Sequence, residues 1–89
     1  MAEIQISKHA REQMKKRGIS EEMVFDIVQS PDQEISEDSD KKIYQSIKYF
    51  EKDKKEFLVR VFVNIIKQPN LVITVYRTTK IEKYWQDED

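Results

Sequence analysis

The sequence contains no cysteine, so neither a disulfide nor a thiolate metal site can supplement its core. That absence fits a reducing compartment, and a cytoplasmic location is expected. The single glycine, Gly18, excludes a phosphate-binding loop and a nucleophile elbow, since each needs several glycines. The single histidine, His9, leaves only carboxylates as further ligands, so no metal centre and no cofactor are expected. The longest apolar run, Phe57–Ile66, is interrupted by Arg60 and Asn64, too short and too polar for a membrane span. The opening MAEIQISKH lacks the charged-then-apolar plan of a signal peptide, and no membrane association is expected.

What is present is mostly charge. The 89 residues are 37% charged, with a formal net charge of −1, which argues against a strong nonspecific nucleic-acid binder. The length fits one domain over residues 1–89, with a thin core between residues 6 and 85 and an acidic tail over residues 86–89. The acids are clustered: Asp32, Glu34, Glu37, Asp38 and Asp40 form one base-free stretch, and Asp87, Glu88 and Asp89 end the chain. The remainder holds 16 basic against 9 acidic residues. Two readings stand side by side: solvated acidic segments on an ordinary domain, or a basic working surface with acidic loops elsewhere.

Two helices are predicted first. Ser7 caps a segment running Lys8–Arg17, whose bases crowd the last turn and complement the helix dipole. Gly18 is the natural left-handed C-cap, with Ile19 packing back. Ser20 opens a second helix, with Glu21 and Glu22 in its first turn and an apolar stripe of Met23, Val24, Ile27 and Val28. Ser30-Pro31 ends it. The pair has the outline of a DNA-binding helix-turn-helix, but the second helix is acidic where a recognition helix is basic or amide-rich. The periodicity then switches to two. Short turns separate a strand near Gln33–Glu37 and further strands at Ile43–Phe50, Glu56–Ile66 and Leu71–Thr78, which should pair antiparallel. Lys80–Trp85 follows as a short helical or extended tail, with Tyr84 and Trp85 as a packing plug.

Alternation sorts the strand residues into faces. Phe57, Val59, Val61, Val63 and Ile65 form an aliphatic face, as do Leu71, Ile73 and Val75, and these should cover the helices. Arg60, Asn64, Thr74, Tyr76 and Thr78 look outward, joined by Tyr44, Ser46 and Lys48 if Ile43, Ile47 and Tyr49 point inward. Such a face suits a phosphate backbone. It is equally the ordinary solvated face of an antiparallel sheet. His9 is a general acid or base, or a surface side chain with one hydrogen bond. Arg60 stands out, because a charge within Phe57–Ile66 is costly unless it meets a partner or water.

The order Ser7-Lys8-His9-Ala10-Arg11-Glu12-Gln13-Met14, then Lys16-Arg17-Gly18-Ile19-Ser20, Val24 to Pro31-Asp32, a tyrosine-bearing strand, Leu58-Val59-Arg60-Val61 and Val72-Ile73-Thr74-Val75-Tyr76-Arg77-Thr78 resembles a family of small bacterial domains of unknown function. That family is grouped with the barnase, EndoU, colicin and RelE-like ribonuclease fold. The resemblance implies an α+β fold with two N-terminal helices packed on one face of a three- to four-stranded antiparallel meander. It implies a toxin-like RNA-binding protein or a metal-independent endoribonuclease of a toxin–antitoxin system, with RNA or the ribosome and an antitoxin protein as partners. On this reading His9 is the acid/base and Arg60 the phosphate clamp, with Lys48, Tyr76 and Lys80 as further RNA contacts, all in one cleft. Arg77, alternating with Tyr76, falls on the inward face and is not among them. The alternative is a non-catalytic protein-binding module or a degenerate toxin.

Overall fold

The computed structural model describes residues 4–87; Glu88 and Asp89 of the expected acidic tail lie outside the described residues. The elements are β1 (Ile4–Ile6), α1 (Lys8–Arg17), α2 (Glu21–Gln29), β2 (Gln33–Ser36), β3 (Lys41–Phe50), β4 (Lys55–Asn64), β5 (Asn70–Thr78) and α3 (Ile81–Tyr84). No described helix is long and apolar enough to cross a membrane.

The two long helices begin and end on single polar or flexible residues. Ser7 Oγ accepts from the Ala10 N–H at 3.1 Å, and Ser20 Oγ from the Met23 N–H at 3.1 Å. Gly18 sits at φ 66° and ψ 36°. There the Ile19 N–H donates to the Met14 carbonyl at 2.9 Å, and the Ile19 side chain is buried. Ala10 and Met14 of α1, Ile19, and Val24 and Ile27 of α2 close over Val59, Val61, Val63, Val72 and Val75 of the sheet in one apolar cluster.

The expected meander of three or four antiparallel strands is incomplete. The sheet is mixed and five-stranded, in the order β1-β5-β4-β3-β2. β2 to β5 pair antiparallel in sequence, but β1 adds to the β5 edge in parallel, Ile4 opposite Asn70 and Ile6 opposite Val72. Three residues carry too little alternation to announce a strand. Beyond β1, the α1 side chain of Gln13 takes over the β5 edge, its Oε1 accepting from the Val75 N–H at 3.0 Å.

Register corrects two face assignments. Lys48 pairs with Phe57, Ser46 with Val59 and Tyr44 with Val61, so these three share the helix-covered face and not the outward one. Ile43, Gln45 and Ile47 pair with Phe62, Arg60 and Leu58 and lie on the second face. On β5, a bulge passes from Phe62–Thr74 to Val63–Val72 and skips Ile73. Val72, not Leu71 or Ile73, therefore joins Val75 in the helix-side core. An extra residue in one strand reverses the alternation beyond it. Arg77 pairs with Val59 on the helix side, as alternation predicts.

The second face is not open either. Ile43 and Leu58 are buried there, outside the helix-side cluster. α3 and the residues after it cross this face, so the helices are not all on one side.

A β-carbon on Gly18 would meet nothing within 4 Å, so replacement there reports backbone strain alone. Gly18→Ala should lower the unfolding free energy by about 1–2 kcal/mol, the cost of a left-handed L-residue. Gly18→Asn should cost visibly less, both read as midpoint shifts in urea titration.

Candidate functional site

One row of side chains runs across four strands. Gln33 of β2 pairs with Gln45 of β3, Gln45 with Arg60 of β4, and Arg60 with Tyr76 of β5. Cross-strand partners share a face, so all four project to the second side of the sheet. They are hydrogen-bonded in sequence. Arg60 Nη1 donates to the Tyr76 hydroxyl at 2.8 Å, and Arg60 Nε to Gln45 Oε1 at 2.9 Å. Gln45 Nε2 in turn donates to Gln33 Oε1 at 2.8 Å.

The C-terminal segment closes over this row. Gln45 Nε2 also donates to the Tyr84 carbonyl at 3.1 Å. Gln86 pairs with Gln33 through both of its backbone polar groups: its N–H donates to Gln33 Oε1 at 3.0 Å, and its carbonyl accepts from Gln33 Nε2. The Tyr84 ring lies 4.4 Å from the Arg60 guanidinium carbon, with the Phe62 and Tyr76 rings at 5.4 and 5.8 Å. Phe62 and Tyr76 are stacked, and Tyr84 stands edge-on to Tyr76. Arg60 is thus a cation within an aromatic collar, an arrangement that offsets part of its desolvation.

Arg60 is only 8% exposed, and it forms no ion pair among the described residues. Yet no buried side-chain nitrogen or oxygen lacks a hydrogen-bond partner among them. Neither Gln45 nor Tyr76 engages the third guanidinium nitrogen, Nη2. Exposed Lys80 and Lys83 lie nearby in sequence, on either side of Ile81–Glu82. Lys83 Nζ sits 5.4 Å from the Tyr84 ring.

The five candidates from the sequence are not gathered in one cleft. Arg60 and Tyr76 touch, and Lys80 begins the segment that covers them, its N–H held by Thr78 Oγ1 at 3.1 Å. His9 is exposed on α1, across the sheet from Arg60. Lys48 lies on the helix side, its Nζ 2.9 Å from an Asp26 carboxylate oxygen of α2. The shared cleft expected for His9, Arg60 and Lys48 is therefore not formed: β3 has the opposite phase from the one assumed, which turns Lys48 to the helix side, and α1 packs on the face away from Arg60. Arg77 has its own setting on the helix side, 2.7 Å from Asp53 and stacked against Phe50 and Phe57 at 4.4 and 4.3 Å.

Gln33, Gln45, Phe62 and Tyr84 were missed as site residues. Gln45 carried a signal, being an amide inside the apolar alternation Ile43–Ile47, where a polar group needs a partner. Gln33 and Phe62 carried none before the register was known. No group of three or more His, Cys, Asp or Glu among the described residues could hold a metal ion. Among the described residues one titration is displaced: Tyr44, buried on the helix side, has its phenol raised above 10.0 by burial, with Glu34 adding and Lys42 opposing.

A protein-family model, "Domain of unknown function (DUF4258)", matches residues 6–77, most of the chain, and the chain belongs to that family. The family description assigns no activity. No curated protein and no solved structure matches the chain.

Two outcomes test the polar row and the tyrosine. Gln45→Leu strands the Arg60 Nε–H in the interior and should cost about 2–3 kcal/mol, against about 1 kcal/mol for Tyr76→Phe, which leaves Nη1 access to water; urea unfolding of both variants measures the ratio. The raised Tyr44 phenol favours the fold while it stays protonated. Stability from this group should hold below pH 10, then fall as pH rises through its folded value. Tyr44→Phe should flatten that part of the alkaline unfolding profile.

Proposed function

We propose that this DUF4258 domain is a toxin-like RNA-binding domain whose contact surface is the Arg60 face of the sheet. The observation that carries the reading is the Arg60 guanidinium set beside the Phe62 and Tyr76 rings of the same sheet face, held by neutral partners that leave its charge uncancelled. Rings stack on bases of any sequence, and a guanidinium edge pairs with phosphate oxygens. Lys80 and Lys83 add mobile charge at the margin. The resemblance to a family grouped with the barnase-like and RelE-like ribonuclease fold supports RNA as the polymer.

Binding is the part the geometry favours. Cleavage by 2′-hydroxyl attack needs a proton acceptor beside the phosphate clamp. His9 cannot serve with Arg60 across the sheet, so the paired His9–Arg60 catalysis implied by the resemblance is not carried forward.

Fluorescence anisotropy with a labelled single-stranded RNA tests this. Affinity should fall with salt, and replacing both Lys80 and Lys83 by Ala should reduce the slope of log K on log salt by roughly 1–1.5, at about 0.7 for each phosphate no longer neutralised. His9→Ala should leave binding unchanged. No binding at low salt, or a slope indifferent to both lysines, would overturn the proposal.

A further inference from the structure

The contacts made by Tyr84–Gln86 have an unusual chemical pattern. Three members of the row receive three different kinds of group. The Arg60 guanidinium takes the face of an aromatic ring, at 4.4 Å. Gln45 Nε2 takes a lone carbonyl oxygen, at 3.1 Å. The Gln33 side-chain amide takes a donor and an acceptor together, from the N–H and C=O of Gln86. A stacked ring beside a paired donor–acceptor edge is what nucleobases present to proteins. A glutamine amide that donates and accepts at once is the usual partner of adenine, through its N6 and N7 positions.

The spacing agrees. Gln33 and Arg60 lie two strands apart, roughly 10 Å, so one stacked base could not meet both. Two successive nucleotides could, one over Arg60 and the next with its edge at Gln33. The covering segment is also the wrong charge to share the site with a phosphate chain. It carries Glu82 and Asp87, which line a shallow cavity with Ile47, Ile81 and Trp85 on this same face. It is fastened to the row through the hydrogen bonds of Gln33 and Gln45 and through Tyr84 packing, not through an ion pair among the described residues.

Resting on the RNA-binding reading, we infer that Gln33, Gln45, Arg60 and Tyr76 form a two-nucleotide reading site, with adenine at Gln33, which Tyr84–Gln86 occupies in the free protein and which RNA takes by displacing them. The segment is then a built-in competitor. Its displacement takes the Asp87 carboxylate off the face and frees Gln33, while Lys80 and Lys83 stay in place ahead of the released residues.

Trp85, the only tryptophan, sits between Tyr84 and Gln86 and reports the event directly. Titrating the full chain with short oligoadenylate should shift Trp85 emission to the red as the ring enters water. Oligouridylate should do so at a concentration at least about fivefold higher, the lower end of what a bidentate amide–base pair discriminates. Gln86→Pro deletes the N–H that Gln33 accepts, at a site where Trp85 is already extended at ψ 129°, and should tighten oligoadenylate binding about threefold or more. Tyr84→Leu is the second variant, expected to act in the same direction. Gln33→Ala should abolish the adenine preference while RNA still binds. RNA binding with no base preference, an unmoved Trp85 spectrum, or unchanged or weaker binding by both segment variants would overturn this inference and leave the RNA-binding reading standing. Absence of RNA binding in the parent chain and in every variant would overturn both.

Discussion

The structure is organised around one buried cation. A guanidinium taken from water into a sheet carries a desolvation cost of several kcal/mol unless its donors are met, and Arg60 sits at the fourth residue of the apolar run Phe57–Val63. It is met by neutral groups: Gln45 on one neighbouring strand, Tyr76 on the other. Neutral partners have a consequence. A carboxylate would cancel the charge, whereas an amide and a hydroxyl orient it and leave it intact. The positive charge is therefore not cancelled by either partner within the sheet. Gln45 needs its own donors placed, and it hands them to Gln33 and to the Tyr84 carbonyl. One charge in β4 thus fixes side chains on four strands and the path of the chain after β5.

That arrangement also answers a problem of size. A chain this small covers only about two thirds or less of the surface its unfolded form exposes, and two helices suffice for one face of the sheet only. The second face must bury Ile43 and Leu58 with what remains, a four-residue helix and its extension. A cover so short has little apolar area of its own. Its attachment depends on directed contacts to the polar row, which makes the cover specific in position and limited in strength.

The two long helices were legible because single residues decide their ends: Ser7, Ser20 and Gly18 each fix one helix end by a local mechanism. The number and limits of β2 to β5 followed from alternation and turn residues. What stayed hidden was relational. Tyr44, Gln45 and Ser46 are buried in succession, so β3 lacks the contrast between faces from which phase is read, and the apolar side was placed on the wrong face. The skipped Ile73 ends the apolar run Leu71-Val72-Ile73, within which no residue marks the bulge. Arg60 was conspicuous as a charge among valines and phenylalanines, but its partners lie 15 and 16 positions away and become visible only through the register. The same gap separated His9 from its real surroundings.

Net charge does not describe the local field at any one part of the surface, for a related reason. Much of the acid does local structural work. Asp38 Oδ1 accepts from the N–H groups of Asp40 and Lys41 at 2.8 and 3.0 Å, shaping the β2–β3 turn. Asp32 accepts from the Ile47 N–H at 2.9 Å. The β2–β3 turn lies at the start of β3, whereas β5 ends beside the start of β4, with Thr78 opposite Leu58, at the other end of the long hairpin. Strands of ten residues span roughly 30 Å, and the screening length is about 10 Å near 0.1 M salt. The acidic turn is therefore electrostatically remote from Lys80, and the formal −1 does not describe the field that a phosphate would meet there. Asp32, held on the Ile47 N–H, lies nearer this face, and the carboxylates of the covering segment lie on it; the influence of the latter depends on whether that segment stays in place.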